Sequence, residues 1–90
     1  MTEYRVIATL DIECKEYKRH FEKHLCWFDG RAQKMETFEK DKAIAFLLKA
    51  KEECPKFDAI TAERFSKDKN AVKYTHSNIR IETRKVSSWS

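Results

Sequence analysis

The chain has 90 residues and a formal net charge of +4, with 41% hydrophobic and 12% aromatic residues. This composition is typical of a folded protein with one domain and one modest core, and it excludes a disordered chain. The charged fraction of 38% and the mean hydropathy of −0.77 leave few apolar residues for a large buried catalytic cleft, so a binding module is favoured. We expect no membrane span, because no window has the roughly 18–20 consecutive apolar residues that one requires.

The chain contains one glycine, Gly30, and one proline, Pro55, which indicates few tight turns and long regular elements. The first element is predicted over Tyr4–Ile12, where every second residue is apolar. This alternation is typical of a strand that buries one face, and only Ile7 interrupts it.

A helix is predicted next, over Cys14–Phe28, because apolar residues recur there at steps of three and four. The end of this segment, from His24 to Phe28, is equally compatible with a short strand. Asp29 and Gly30 would then form a two-residue hairpin turn, since this pair suits positive φ angles. A polar return strand would follow over Arg31–Phe38.

The second predicted helix covers Asp41–Cys54, where strong helix formers surround an apolar stripe and Asp41 is a plausible N-cap. Pro55 is predicted to end it, because proline cannot continue the backbone hydrogen bonds. Loose alternation then predicts a strand over Phe57–Phe65, followed by the charged connector Ser66–Asn70. A final strand is predicted from the alternation of Ile79, Ile81 and Thr83 with charged residues, and Ala71–His76 stays ambiguous.

This order of elements predicts an α+β fold, a ferredoxin-like βαββαβ unit with an extra C-terminal strand and two helices on a small antiparallel sheet. The alternative makes Cys14–Phe28 a long strand, which gives a five-stranded antiparallel sheet with one helix, Asp41–Cys54. Residues 1–86 are expected to form a single domain and residues 87–90 a frayed tail.

The cysteines and histidines are candidate metal ligands or catalytic groups. His20 and His24 are spaced as on one helix face, and Cys26 lies close, so these three are the metal candidates. Their spacing matches no familiar zinc ribbon or finger, so no metal and no cofactor are expected. His20, His24 and His76 are also candidates for proton transfer in a histidine-dependent ribonuclease, since only histidine titrates near neutral pH without help.

A second hypothesis is a nucleic-acid-binding module that uses the C-terminal third of the chain. Residues 57–90 carry seven basic and four acidic side chains, and aromatic residues lie among them. Basic side chains neutralise phosphates, and aromatic faces stack on bases. The candidate residues are Arg64, Lys67, Lys69, Lys73, Tyr74, Arg80, Arg84 and Lys85.

The favoured hypothesis is a small non-enzymatic binding or accessory protein that acts stoichiometrically on a protein partner, such as an inhibitor or modulator encoded by a phage or mobile element. A sheet covered by helices on one face leaves its other face open for a partner or a second copy, so a homodimer is compatible with this reading. Three cysteines without paired spacing, and no basic segment before an apolar one at the N-terminus, indicate a cytoplasmic protein. The candidate anchors are Trp89, Trp27 and Ile7, with Phe57 or Phe65 beside them.

Overall fold

The fold is described by a computed structural model that covers residues 1–28 and 33–86. In chain order, its elements are strand β1 (Thr2–Glu13), strand β2 (Lys18–Leu25), the two-residue strands β3 (Trp27–Phe28), β4 (Gln33–Lys34) and β5 (Glu36–Thr37), helix α1 (Lys40–Lys67) and strand β6 (Lys73–Lys85).

Strand β1 lies at the centre of a four-stranded antiparallel sheet. Along one edge it pairs with β6 over its whole length, from Thr2 opposite Lys85 to Glu13 opposite Lys73. Along the other edge it pairs with β2 and then with β5. Strands β3 and β4 form a separate two-stranded hairpin.

This hairpin is attached to β1 at a single residue, Val6. Cys26, just before β3, donates its backbone N–H to the carbonyl of Val6, and Met35, just after β4, accepts from the N–H of Val6. The chain therefore leaves the sheet at Cys26 and returns at Met35. Trp27, the first residue after the exit, is carried on the projecting hairpin.

The strand predicted over Tyr4–Ile12 is confirmed and extends by two residues at its start and one at its end. Val6, Ala8 and Leu10 are buried on the side of the helix. Ile7 and Thr9 are buried too, although they point to the opposite face. Ile7 interrupts the alternation because both faces of the central strand are covered at this point.

The helix predicted over Cys14–Phe28 is wrong, because these residues form β2 and β3. Lys18–Leu25 pairs with β1 through a register that runs from Ile7 opposite Leu25 to Glu13 opposite Lys18. Most side chains of β2 are exposed, so its sequence lacks the apolar alternation that identifies a half-buried strand. Pairing with a long central strand overrides the local helical pattern.

The predicted helix end at Pro55 and the predicted strand Phe57–Phe65 are also wrong. Helix α1 runs for 28 residues with Pro55 inside it. Pro55 is exposed, so its ring points to solvent while the buried stripe continues from Ala50 through Cys54 to Thr61. Asp41 lies in the first turn and Glu39 is the N-cap residue.

The described residues therefore contain one helix, not the two of the ferredoxin-like arrangement. The alternative prediction, one helix on an antiparallel sheet, matches the observed fold class. The main sheet has four strands instead of five, and the helix is longer than the predicted Asp41–Cys54. The final strand is also longer than predicted, because β6 includes Lys73–His76 as well as Ile79–Thr83. The predicted Asp29-Gly30 turn and the predicted frayed tail, residues 87–90, lie outside the described residues. Within the described ranges, no helix is long and apolar enough to cross a membrane.

Both neighbours of β1 change register at the same level. The pairing with β2 shifts between Ala8 and Leu10, and the pairing with β6 shifts between Ile7 and Thr9. The extra residue in β6 lies next to Asn78, which has a φ of 49°. Asparagine tolerates this left-handed conformation better than other non-glycine residues. β1 itself carries no extra residue, so its alternation is kept along its whole length.

Helix α1 lies over β6 and β1 and leaves the corresponding face of β2 uncovered. The core between helix and sheet contains Val6, Ala8, Cys26, Met35 and Ala50. The opposite sheet face, called the outer face here, carries charged side chains that pair with one another. Its ion pairs are Glu3–Arg84, Arg5–Glu36, Lys23–Glu82 and Arg80–Glu82.

Candidate binding groove

A groove lies where helix α1 fails to cover β2. Its walls are the middle of the helix, from Lys49 to Ile60, and the hairpin that carries Trp27, and its floor is the helix-facing side of the sheet. Its volume is about 1000 Å³. The large apolar side chains that line it are Leu10, Ile12, Trp27, Phe57 and Ile60.

Three of these apolar side chains are about half exposed to solvent. Trp27 is 47% exposed, Phe57 is 47% exposed and Ile60 is 51% exposed. Phe57 and Ile60 are neighbours on one helix face, three residues apart, and Trp27 comes from the opposite wall. Exposed apolar side chains that converge on one concavity are typical of a binding site.

At one end of the groove, side chains of the helix bond to the outer edge of β6. Asp58 accepts hydrogen bonds from the backbone N–H of His76, at 2.6 Å, and from its ring Nδ1, at 2.7 Å. Thr61 Oγ1 accepts from the backbone N–H of Tyr74 at 3.1 Å. These N–H groups point away from β1, so the helix takes the place of a neighbouring strand.

Two histidine rings approach each other on the groove floor. The ring centroids of His24, on β2, and His76, on β6, are 6.1 Å apart. Burial lowers the pKa of His24, and the neighbouring His76 lowers it further. Phe57 packs on this end of the floor, with its ring centroid 6.3 Å from that of His76 and 5.4 Å from that of Tyr74.

Two thiols meet beneath the helix. Cys26 is 2% exposed and belongs to the core, and Cys54 packs against that core and also lines the groove. Their side chains are hydrogen-bonded, which raises the pKa of Cys26, and burial acts in the same direction. The same bond lowers the pKa of Cys54 to about 7, although burial opposes it, and His76 contributes in the lowering direction.

Among the lysine and acidic side chains that line the groove, lysines outnumber acids two to one. Lys49 and Lys56 line it together with Glu53, and the exposed Lys34 lies opposite Trp27 on the hairpin. Lys56 pairs with Glu53 at 3.9 Å and with Glu52 at 3.5 Å, but these pairs are exposed and hold the side chains weakly. The rim of the groove is therefore mildly cationic.

Two of the three predicted partner-binding anchors lie in the described residues, and these two are not brought together. Trp27 lies at the groove, whereas Ile7 is 3% exposed beneath the outer face and offers almost no surface. Trp89 lies outside the described residues. Phe57, named as a lesser anchor, is a groove residue.

The residues predicted for nucleic-acid binding lie on several surfaces. Arg80 and Arg84 are on the outer face, where the hydrogen bond to Glu3 raises the pKa of Arg84. Tyr74 lies in the groove against Phe57. The others lie near the end of the helix or at the two ends of β6: Arg64, Lys67, Lys69, Lys73 and Lys85.

The three metal candidates are likewise separated. His20 is on the outer face, where its Nδ1 is 2.6 Å from Asp11 Oδ1 and its Nε2 is 2.6 Å from Glu22 Oε1. These hydrogen bonds raise the pKa of His20, and the bond to Asp11 has the larger effect. His24 and Cys26 both line the groove, where Cys26 is buried in the core. In the part of the chain that the structure describes, no group of three or more metal-binding side chains could hold an ion.

Sequence reasoning missed the contact of Cys54 with Cys26 and that of Asp58 with His76. The contact of Asp58 depends on the helix that continues through Pro55, which places Asp58 on the same helix face as Cys54, four residues earlier. The helical spacing of Ala50, Cys54, Phe57 and Thr61 is the signal that could have found them.

Comparisons with models of known protein families, with curated protein sequences and with solved structures find no significant match. The functional argument therefore depends on the geometry of the groove.

Proposed function

We propose that this chain is a stoichiometric protein-binding module whose groove receives an amphipathic segment of a partner protein. The observation that supports this proposal is the convergence of Trp27, Phe57 and Ile60, each about half exposed, on one concavity of about 1000 Å³. A bound segment would cover these side chains and modulate the partner by occupying its surface.

The apolar lining supplies the affinity in this proposal. Fully burying a large apolar side chain contributes roughly 1.5–3 kcal/mol, and three that are already half-buried supply part of that amount each. Trp27 and Phe57 are rigid aromatic anchors that lose little conformational entropy on binding, which is why such residues dominate protein interfaces.

The charges at the rim define the chemistry of the partner segment. Two lysines, Lys49 and Lys56, line the groove with one acid, Glu53, and the whole chain carries a net charge of +4. An acidic segment is attracted to such a rim, and attraction of this kind improves both the association rate and specificity. The proposed ligand therefore presents two or three large apolar side chains flanked by aspartate or glutamate.

The outer face is a weaker candidate for the same role. Its arginines are already paired with acids of the same face, as in Glu3–Arg84 and Arg80–Glu82. A partner would have to replace these pairs before it gained contacts, and the intervening acids weaken any attraction for phosphates. The groove offers half-exposed apolar side chains as well as charge, which favours it over the outer face.

The test is a selection of peptides from a random display library against the immobilised full chain. Affinities are then measured by fluorescence in a Trp89→Phe background, where Trp27 is the single tryptophan. We expect the selected peptides to be apolar and acidic, and to change the Trp27 emission on binding. Ile60→Asp, which places a charge in the groove, should weaken binding at least about tenfold, equivalent to about 1.4 kcal/mol.

Leu48→Asp is the matched control, because Leu48 is an apolar residue of the same helix that is 64% exposed and does not line the groove. It should leave the affinity unchanged. Equal losses for the two variants would contradict the proposal, as would peptides that bind without affecting Trp27. Preference for oligonucleotides, with an affinity that falls steeply with salt and after Arg80→Ala and Arg84→Ala, would favour the nucleic-acid alternative.

A second candidate function, a histidine-dependent ribonuclease, is favoured by one observation. His24 and His76 face each other in the groove, and Asp58 orients the ring of His76 through the 2.7 Å bond to Nδ1. Two imidazoles in one groove can act as general acid and general base. RNA cleavage should then be lost in His24→Ala and His76→Ala but kept in His20→Ala, since His20 lies on the outer face. Absence of cleavage, or equal cleavage by all three variants, would remove this candidate.

A further inference from the structure

Two of the three cysteines lie against each other, between helix α1 and the sheet. Cys54 comes from the helix, and Cys26 comes from the residue that separates β2 from β3. Cys54 packs against the core cluster that contains Cys26, and both residues line the same end of the helix–sheet groove. Cys14 lies elsewhere, in the connection between β1 and β2, where its backbone N–H bonds to Tyr17.

The two thiols differ in their access to solvent. Cys26 is 2% exposed, so a reagent cannot approach it directly. Both cysteines line the groove, but Cys54 is only half-buried, so it is the more accessible of the two thiols to a small reagent that enters the groove. Cys26 stands behind it as the only other thiol within contact.

The surroundings of Cys54 favour its thiolate, which is the reactive form of a cysteine. The hydrogen bond from Cys26 lowers the pKa of Cys54 to about 7, and the charge of His76 lowers it as well. Burial, Asp58 and Glu53 act in the opposite direction. The position of His76 is fixed by its two hydrogen bonds to Asp58.

We propose that Cys54 and Cys26 form a reversible intramolecular disulfide, in which a peroxide oxidises Cys54 from the groove and Cys26 completes the bond. This inference is independent of the proposed peptide binding. It assigns a redox-sensitive modification site to a pair of side chains that the groove proposal does not use.

The chemistry proceeds in two steps. The Cys54 thiolate attacks one oxygen of hydrogen peroxide, the O–O bond breaks, and the released hydroxide takes a proton to become water, which leaves a sulfenic acid on Cys54. The Cys26 sulfur then attacks the Cys54 sulfur, the S–O bond breaks, and the departing hydroxide takes the Cys26 proton to form a second water. The two thiols lose two electrons in total, and the peroxide gains them. A thiol reductant reverses the reaction.

The disulfide would link helix α1 to the base of the hairpin that carries Trp27. These two elements are the opposite walls of the groove, so oxidation would fix the distance between them. In the reduced protein, the hairpin is attached to the sheet through Cys26 and Met35 on either side of Val6.

The test treats the reduced full chain with a small excess of hydrogen peroxide, counts free thiols, and maps the unreduced tryptic peptides by mass spectrometry. We expect the thiol count to fall from three to one, and peptide 24–31, which contains Cys26, to be joined to peptide 52–56, which contains Cys54. The joined mass should be lower by two hydrogens than the sum of the two peptides, and dithiothreitol should restore all three thiols. Cys14 should remain unmodified in peptide 6–15.

Two variants separate the roles of the thiols. Cys14→Ser should form the same disulfide at the same rate. Cys26→Ser should accumulate a sulfenic acid at Cys54 that dimedone traps, because the resolving thiol is absent. Three free thiols after peroxide, a disulfide that includes Cys14, or direct conversion of Cys54 to sulfinic acid in the wild-type chain would overturn the proposal. The map of the wild-type chain decides this even if a cysteine variant does not fold.

Discussion

Asp58 joins the helix to the last strand through two short hydrogen bonds to one residue. Its carboxylate accepts the backbone N–H and the ring Nδ1 of His76, and the side chains of both residues are largely buried, at 17% and 10% exposed. A backbone N–H that loses its partner in such a place loses a hydrogen bond that water replaces poorly. Asp58 therefore combines a structural role with the orientation of a groove histidine.

We expect Asp58→Ala to lower the free energy of unfolding by about 2 kcal/mol, because it leaves the N–H and the ring of His76 without their acceptor. Urea unfolding followed by circular dichroism measures this change. Glu52→Ala is the control: Glu52 is exposed and makes only a surface ion pair with Lys56, so its loss should cost less than about 0.5 kcal/mol. Equal effects of the two substitutions would show that Asp58 does not hold His76.

The protonation of Cys54 provides a second prediction for a single residue. The rate of alkylation of Cys54 by iodoacetamide should rise with pH with a midpoint of about 7. In Cys26→Ala the midpoint should move to higher pH, since the thiolate loses the hydrogen bond that stabilises its charged form. Peptide mapping of the alkylated chain follows each cysteine separately.

Cys14→Ser is the control for this titration, because Cys14 lies outside the Cys26–Cys54 contact, and its removal should leave the midpoint at about 7. A midpoint that is the same in the wild-type chain and in Cys26→Ala would contradict the account of Cys54.

Helix α1 shows where reasoning from the sequence fails at the level of an element. Proline removes one hydrogen bond and crowds the preceding turn, so local rules predict that the helix ends at Pro55. The apolar stripe continues past Pro55, however, and burial of Thr61 together with the bonds from Asp58 and Thr61 to β6 favours a continuous helix. These tertiary contacts outweigh the local cost of proline in a helix, and they cannot be predicted from the local sequence.

Pro55→Ala tests the continuity of the helix. Alanine would restore the missing hydrogen bond in mid-helix, so we expect the free energy of unfolding to rise by about 2 kcal/mol, which is the helix-interior penalty of proline reduced by the greater freedom of the unfolded chain. Thermal unfolding should show a corresponding rise in Tm. A substitution that lowers stability would indicate that the chain does not continue as a regular helix through this position.

The outer edge of β6 is protected unevenly. The N–H groups of Tyr74 and His76 bond to helix side chains, whereas those of Ile81 and Thr83 point away from β1 and have no strand partner among residues 1–28 and 33–86. The direction of these N–H groups follows from the strand register. Val6, which is opposite Ile81, directs its N–H and C=O to Met35 and Cys26, on the side of β1 away from β6, so the N–H of Ile81 points away from β1.

Hydrogen exchange followed by NMR should therefore separate the two halves of this edge. We expect the amides of Tyr74 and His76 to exchange on the order of ten times more slowly than those of Ile81 and Thr83. Thr61→Val, which removes the hydroxyl acceptor and keeps the shape, should speed exchange at Tyr74 and leave Ile81 unchanged. Uniform exchange along the edge would contradict the capping of β6 by the helix.

At the scale of the whole molecule, the two sides of the sheet have different chemistry. The outer face neutralises its own charges through ion pairs, and the other side combines a small core with an apolar groove. The groove exists because the single helix covers β6 and β1 but does not cover the same face of β2. A second helix, which the ferredoxin-like prediction required, would cover the surface that we propose as the binding groove.

The sequence predicted the α+β class and the strand Tyr4–Ile12, because each depends on a local pattern. It also named Trp27 and Phe57 as partner-binding anchors; both line the groove, and their role in binding stays a prediction. It did not predict the groove itself, since this depends on which strand the helix covers. It placed docking on the open sheet face and named Ile7 as an anchor, but the ladder of β1 with its two neighbours buries Ile7. Contacts between residues distant in the chain, such as Cys26 with Cys54, require the fold to be known.

The central claim is that the groove is the binding surface, and NMR chemical-shift mapping with the tightest selected peptide tests it most directly. The account predicts that the largest shifts occur at the Trp27 indole, at the Phe57 ring and at the Ile60 methyl groups. Arg80 and Arg84 on the outer face should remain unperturbed. Largest shifts at these arginines, with Trp27 and Ile60 unchanged, would contradict the account.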